Sequence, residues 1–214
     1  MIIWFILFFI ILFISLVLAY LSMKDYQEIP KLEKEYSTYL IRKPDFLTTQ
    51  TLSNILDLNR GKLIALERLF KGKSNALVIF GPKILKERFS DLLGLLELED
   101  YTGERNLFTA WEVIKKEEIK NSIFAKFPAI LENEKFYWQV LISGDSGQIR
   151  AAYSGRNELI PELETFAQPG LTKIPRPMSS SQIFNLYKQR VFTPANAQKI
   201  SVTEALLLIG LPRI

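Results

Sequence analysis

The chain has no cysteine and no histidine among its 214 residues. The first absence excludes disulfides, thiolate zinc sites and cysteine nucleophiles; the second excludes Ser-His-Asp triads, His-ligated metals and a histidine pH switch. Most familiar hydrolase chemistry is thereby removed by counting. Charge is missing from one place only, because residues 1–23 contain no Asp, Glu, Lys or Arg. Mean hydropathy of the whole chain is just +0.10, so the remainder averages below zero, as soluble globular domains do. One membrane segment plus one soluble part of ordinary domain size is the expected organisation.

The charge-free run is apolar up to Leu21 except for Ser15, long enough as a helix to span a hydrocarbon core of about 30 Å. Trp4 and Tyr20 stand near its ends, where amphipathic rings favour the interface. A cleaved signal peptide would need a basic start, a shorter apolar run and a small-x-small cleavage site. The start carries no Lys or Arg, and Leu18-Ala19-Tyr20 is a poor cleavage site, so a retained single-pass anchor is expected. Lys24, Lys31 and Lys34 follow the run and no basic residue precedes it, which predicts a soluble domain on the cytoplasmic side.

Residues 24–35 read as a polar juxtamembrane linker with Pro30. A short strand around Tyr39 and Ile41 follows. A helix then carries Leu52, Ile55 and Leu56, capped by Thr48 or Thr49 and stopped by Gly61. Residues 62–80 form a hairpin about the Lys71-Gly-Lys-Ser74 turn. Gly81-Pro82 starts a helix with Ile84, Leu85, Phe89, Leu92 and Leu93 on one side, and residues 95–101 or 107–114 supply a further strand. In order this is βαββαβ, which predicts an α+β fold with a ferredoxin-like sandwich over residues 36–114, or a larger α+β domain with the same local elements.

A second α+β region is expected over residues 115–214. The aromatic run Lys135–Ser143 reads as a strand, Gly144-Asp-Ser-Gly147 turns the chain, and residues 148–153 return. Residues 157–167 read as a helix with Pro161 in its first turn. Ser179-x-x-Gln182 and Ser201-x-x-Glu204 open two more, the first with Ile183, Phe184, Leu186, Tyr187 and Val191 on its apolar face. No internal repeat is evident by eye, although two hairpin-then-helix units are weak structural echoes.

Three kinds of string invite chemistry. Gly72-Lys73-Ser74 looks like the end of a phosphate-binding loop, but Glu67 occupies the place of its first glycine and a strand follows where a helix is needed, so a hairpin turn is expected. Gly144-Asp145-Ser146-Gly147 looks like a serine-nucleophile loop without a base, and so is also a turn. The acidic runs Glu97, Glu99, Asp100 and Glu112, Glu117, Glu118 match no ligand loop and read as solvated faces. No catalytic, cofactor-binding or metal-ligating residue is expected, and the chain reads as no enzyme.

Basic residues outnumber acidic ones by 27 to 23, giving +4 and a pI near 9.1. That balance is mild for a nucleic-acid binder and also suits a protein at a membrane surface. Lys71 and Lys73, with Lys83, Lys86 and Arg88, are the candidate interaction surface, together with the aromatics of the second hairpin. Lys188 and Arg190 interleave with Phe184–Phe192 as the basic outer face of a core-packing helix.

The strand Leu63–Phe70, the strand Ala76–Phe80, the Gly81-Pro82-Lys83 helix start and the exit Leu96–Tyr101 resemble membrane-anchored domains that accompany conjugation-type ATPases of type IV secretion systems. The likeness covers about residues 1–101 and the strand Phe136–Ile142. It implies an accessory module that tethers such machinery, with nucleotide hydrolysis on a separate protein partner. The chain has neither phosphate loop nor companion acidic strand, so no catalytic residue carries over. The expected function is a membrane-tethered scaffold with protein partners; a nucleic-acid-contacting module of a DNA-transfer apparatus is the alternative.

Overall fold

The computed structural model describes residues 11–17, 35–99, 101, 108–175 and 178–212. The chain divides into Met1–Lys31 and Leu32–Ile214. The transmembrane helix expected over residues 1–23 lies outside the described residues except for 11–17, which are helical and exposed, and so does the linker except for Glu35. Among the described residues no helix is long and apolar enough to cross a membrane.

The larger unit is α+β, with helices packed on a mostly antiparallel sheet. Its first half follows the predicted order: β1 (Tyr36–Leu40), α1 (Thr49–Leu58), β2 (Ile64–Lys71), β3 (Ser74–Pro82), α2 (Ile84–Leu93) and β4 (Leu96–Leu98). Thr48 caps α1 by accepting the Thr51 N–H at 3.2 Å. The β2–β3 turn places Gly72 at φ 56°, which only glycine adopts without strain. Strand order is β4-β1-β3-β2, each pair antiparallel. The alternative fourth strand, β5 (Thr109–Lys115), opens the second half instead.

That half contains β6 (Lys135–Ser143), β7 (Ser146–Ser154), α3 (Ile160–Thr165), β8 (Leu171–Lys173), α4 (Ser180–Lys188), β9 (Gln198–Lys199) and α5 (Val202–Leu208). Its strands run β6-β7-β5-β8, the mirror of the first half, and β2 pairs with β6, so one sheet passes across both. The two halves are a structural repeat. β3 and β7 each have nine residues and begin at Ser74 and Ser146, an offset of 72. The turn glycines Gly72 and Gly144 keep that offset and share φ near 60°. Registers obey it too: Thr38 faces Phe80 and Ala65 faces Phe80, while Ala110 faces Ala152 and Tyr137 faces Ala152. The same offset carries Glu67 to Gln139, which are also direct partners across β2 and β6. A pseudo-two-fold axis therefore passes between them.

Symmetry fails where α1 should recur. The equivalent stretch holds a short 3-10 turn, Ile123–Lys126, because Pro128 removes an N–H and clashes with a preceding carbonyl in a continuing helix. The C-terminal α5 covers the gap, packing on α1 and on that turn. Residues Ala205 to Ile209 are all 2% exposed or less, as expected of a helix apolar on every side. The main core lies on this face, between the helices and Ile64, Leu66, Phe136, Trp138, Val140, Ile149 and Trp111. Leu92, expected on the buried side of α2, is 41% exposed, whereas Leu85 and Leu93 are buried.

Candidate interaction surface and buried polar stripe

The five predicted basic residues occupy two places. Lys71 ends β2 and Lys73 sits in the turn, whereas Lys83, Lys86 and Arg88 lie at the start of α2, beyond the other end of β3. Nine strand residues separate the groups, so Lys73 and Lys83 lie roughly 33 Å apart along the strand at about 3.3 Å per step. They do not form one surface. All five are exposed, and Lys86 Nζ lies 3.0 Å from Glu97 Oε2, a pairing that raises the lysine pKa and lowers the carboxyl. On α2, Arg88 and Leu92 are four residues apart and both exposed, hence on one outer face. The adjoining turn Pro44–Phe46 packs on α2 and exposes Phe46.

The aromatics of the second hairpin are not surface groups. Phe136, Tyr137 and Trp138 are 0, 7 and 1% exposed, because β6 is central in the sheet and both of its faces are covered. The two suspect motifs are turns, as expected: Gly72-Lys73-Ser74 joins β2 to β3, and Gly144-Asp145-Ser146 joins β6 to β7.

On the face away from the main core, the sheet carries charged and amide groups, of which Glu112 and Arg190 were expected at the surface. Glu67, Glu112, Gln139, Gln148 and Arg150 are buried there, and Arg190 is 5% exposed. Glu112 is thus no solvated acid, and Arg190 no part of an outer face. Arg190 Nε donates to Glu67 Oε1 at 2.9 Å, and Gln139 Nε2 donates to the same oxygen at 2.9 Å. Beside this cluster Arg150 Nε donates to Glu112 Oε1 at 3.1 Å, and Asn196 Nδ2 donates to Glu112 Oε2 at 3.0 Å. Arg150 Nη1 reaches the Leu186 carbonyl at 3.1 Å, and Gln139 Nε2 reaches that of Tyr187 at 3.1 Å. Thr193 donates its N–H to Gln148 Oε1 at 2.8 Å.

These bonds share one consequence: the segment from Leu186 to Asn196 is stapled to the sheet. The segment needs polar partners because its backbone leaves helical geometry after α4, with Arg190 at φ 52°, and its carbonyls would otherwise be buried unpaired. α4 itself covers the second repeat, setting Ile183, Phe184 and Tyr187 on Ala110, Ala152 and Tyr137. Each buried carboxylate in the stripe meets an arginine.

A third carboxylate, Glu134, is 1% exposed on the opposite side of the fold. It accepts from Arg156 Nε at 2.6 Å and from the Leu131 N–H at 2.6 Å. The Arg156 guanidinium chiefly holds its carboxyl down to about 2, against an opposing effect of burial. Tyr153 beside it is pushed up to about 12, mainly by burial and then by the carboxylate. Glu204 closes a capping box with Ser201 and pairs with Lys115 at 2.7 Å. Among the described residues no group of three or more Asp or Glu could hold a metal ion.

Comparison with protein-family models and with curated proteins finds no match for this chain. Sequence reading missed the polar stripe because a charged residue within a strand ordinarily marks a solvated face. The available signal was position: Glu112 stands in a run apolar on both faces, Ala110-Trp111 and Val113-Ile114, and Glu67 lies between Ala65 and Leu69 on its own face.

Proposed function

We propose that the chain is a membrane-tethered, non-enzymatic scaffold whose α+β domain binds another protein of an envelope complex. The observation that carries this reading is the charge-free run over residues 1–23, sufficient to span a bilayer, joined to a large sheet domain. Tethering confines such a domain to a surface and raises its local concentration, so modest contacts suffice for assembly. The outer face of α2 supports the reading, since it combines Arg88 with exposed Leu92 beside Phe46, an arginine-and-apolar mixture suited to protein partners. On the resemblance in the first half, the assembly is a secretion or conjugation machine whose ATPase is a separate chain.

The test is alkaline carbonate extraction of membranes carrying the full chain, followed by cross-linking from position 88. Full-length protein stays in the membrane pellet and cross-links to a discrete protein. Release into the supernatant with a new N-terminus near residue 20 overturns the tether. Cross-links that form to nucleic acid instead, with salt-sensitive retention on DNA, overturn the protein-scaffold reading in favour of the DNA-contacting one.

A further inference from the structure

Arg68 carries a charge on the apolar face of the sheet. Strand alternation sets it between Leu66 and Phe70 of β2, and both of these pack in the main core. Its direct partners across the ladder are Leu77 on β3 and Trp138 on β6, which are 3 and 1% exposed. Arg68 itself is partly buried, and its Nε is buried with no hydrogen-bond partner. Its guanidinium carbon lies 5.9 Å from the centre of the Phe70 ring. Among the described residues Arg68 forms no ion pair, whereas Arg150, Arg156 and Arg190 each meet a glutamate at 3.1 Å or less. Burial alone lowers its pKa, so no carboxylate offsets the loss of water. A partly desolvated cation without a counter-charge is costly to the isolated fold.

The surface beside it suits a protein. Phe70 stacks on Phe127, with centroids 4.4 Å apart and planes at 25°, and both rings are partly exposed. The Glu132 backbone packs so closely on Gly72 that an added Cβ there would lie 2.8 Å from its Cα. That contact brings Leu131, 51% exposed, to the same hairpin tip. Glu132 is exposed and makes no ion pair with Arg68, while the neighbouring Glu134 is taken by Arg156. An arginine among aromatic and aliphatic side chains is the composition of an interface centre, and its uncompensated charge fits an acidic group from outside.

We infer that the hairpin-tip margin of this apolar face docks an acidic segment of a partner protein, one carboxylate of which pairs with Arg68 while apolar side chains beside it cover Phe70, Phe127 and Leu131. The inference rests on the protein-scaffold reading and adds the chemistry of the partner and a surface separate from α2.

Two measurements on the full chain test it. In neutral-lipid nanodiscs, Arg68→Met raises the urea midpoint by about 0.5 M, because methionine fills the apolar face and leaves no unpaired cation. In native membranes, p-benzoylphenylalanine in place of Leu131 cross-links to a discrete protein, at a stretch that mass spectrometry maps beside an Asp or Glu. Arg68→Met cuts that adduct at least about fivefold, whereas Arg60→Met, an exposed arginine before the other end of β2, leaves it unchanged. A urea midpoint no higher in Arg68→Met overturns the inference, as does an adduct that Arg68→Met leaves intact or that maps to a stretch without an acid. No adduct, or one to lipid or nucleic acid, overturns it as well. Where position 88 still cross-links to a protein, only this surface falls; where neither position does, the scaffold reading falls with it.

Discussion

Replacing Arg190 by Met isolates the electrostatics of the pseudo-two-fold axis. Glu67 is fully buried, and its carboxylate is neutralised by Arg190 at 2.9 Å, with Gln139 as a further donor. Removing the arginine leaves a buried anion with one amide donor, and breaking such a pair costs about 3–5 kcal/mol. Arg190 Cζ also lies 4.5 Å from the Phe80 ring, an interaction of about 1 kcal/mol that Met keeps only as apolar contact. Arg190→Met therefore destabilises by about 3–5 kcal/mol, a large part of the roughly 5–15 kcal/mol a domain possesses. The double variant Glu67→Gln/Arg190→Met removes both charges and puts two glutamines across the axis. Its loss stays below about 1.5 kcal/mol, so the pair couples by at least about 2 kcal/mol. Urea unfolding of the full chain in nanodiscs reads both values through the fluorescence of Trp111 and Trp138, each 1% exposed. A single-variant loss below about 1 kcal/mol, or a double variant as unstable as the sum of its parts, refutes the argument that the ion pair answers a buried charge.

Two further predictions concern acid stability and close packing. Glu134 is held near 2 in the folded chain against an ordinary 4.5, so its contribution is complete above the unfolded value and fades as pH falls from about 5 towards 2. Glu134→Gln flattens that limb of a stability-versus-pH curve, and an unaltered acid limb would count against it. Gly147 has room for no side chain: an added Cβ meets Ile200 Cδ1 at 2.6 Å and the Leu141 carbonyl at 3.0 Å, so Gly147→Ala costs about 1–3 kcal/mol. Gly61 has nothing within 4 Å but a φ of +79°, so Gly61→Ala costs only the left-handed strain, about 1 kcal/mol. Thermal midpoints order the two variants, and the reverse order sinks the packing argument.

The first half was legible because its signals are local. Thr48, Gly61, Gly72 and Gly81-Pro82 punctuate the chain at each element boundary, and apolar periodicity fills the intervals. The capping boxes at Ser179 and Ser201 likewise located α4 and α5. The candidate surface was legible only as two basic clusters, since which ends of β3 they occupy depends on strand direction. The repeat showed in the sequence only as weak hairpin-then-helix echoes because its halves share register rather than residues: Glu67 answers to Gln139, and Gly81 to Tyr153.

The order of strands and helices, the turns, and the uncharged N-terminal run are properties of the chain read residue by residue, because propensity, capping and periodicity act over a few neighbours. Which charges lie inside is different. Glu67 and Arg190 are 123 residues apart, and Glu112 and Arg150 sit on separate strands. Their burial follows only once β2 joins β6 and the segment after α4 crosses the sheet, when each carboxylate meets the arginine that makes its removal from water tolerable.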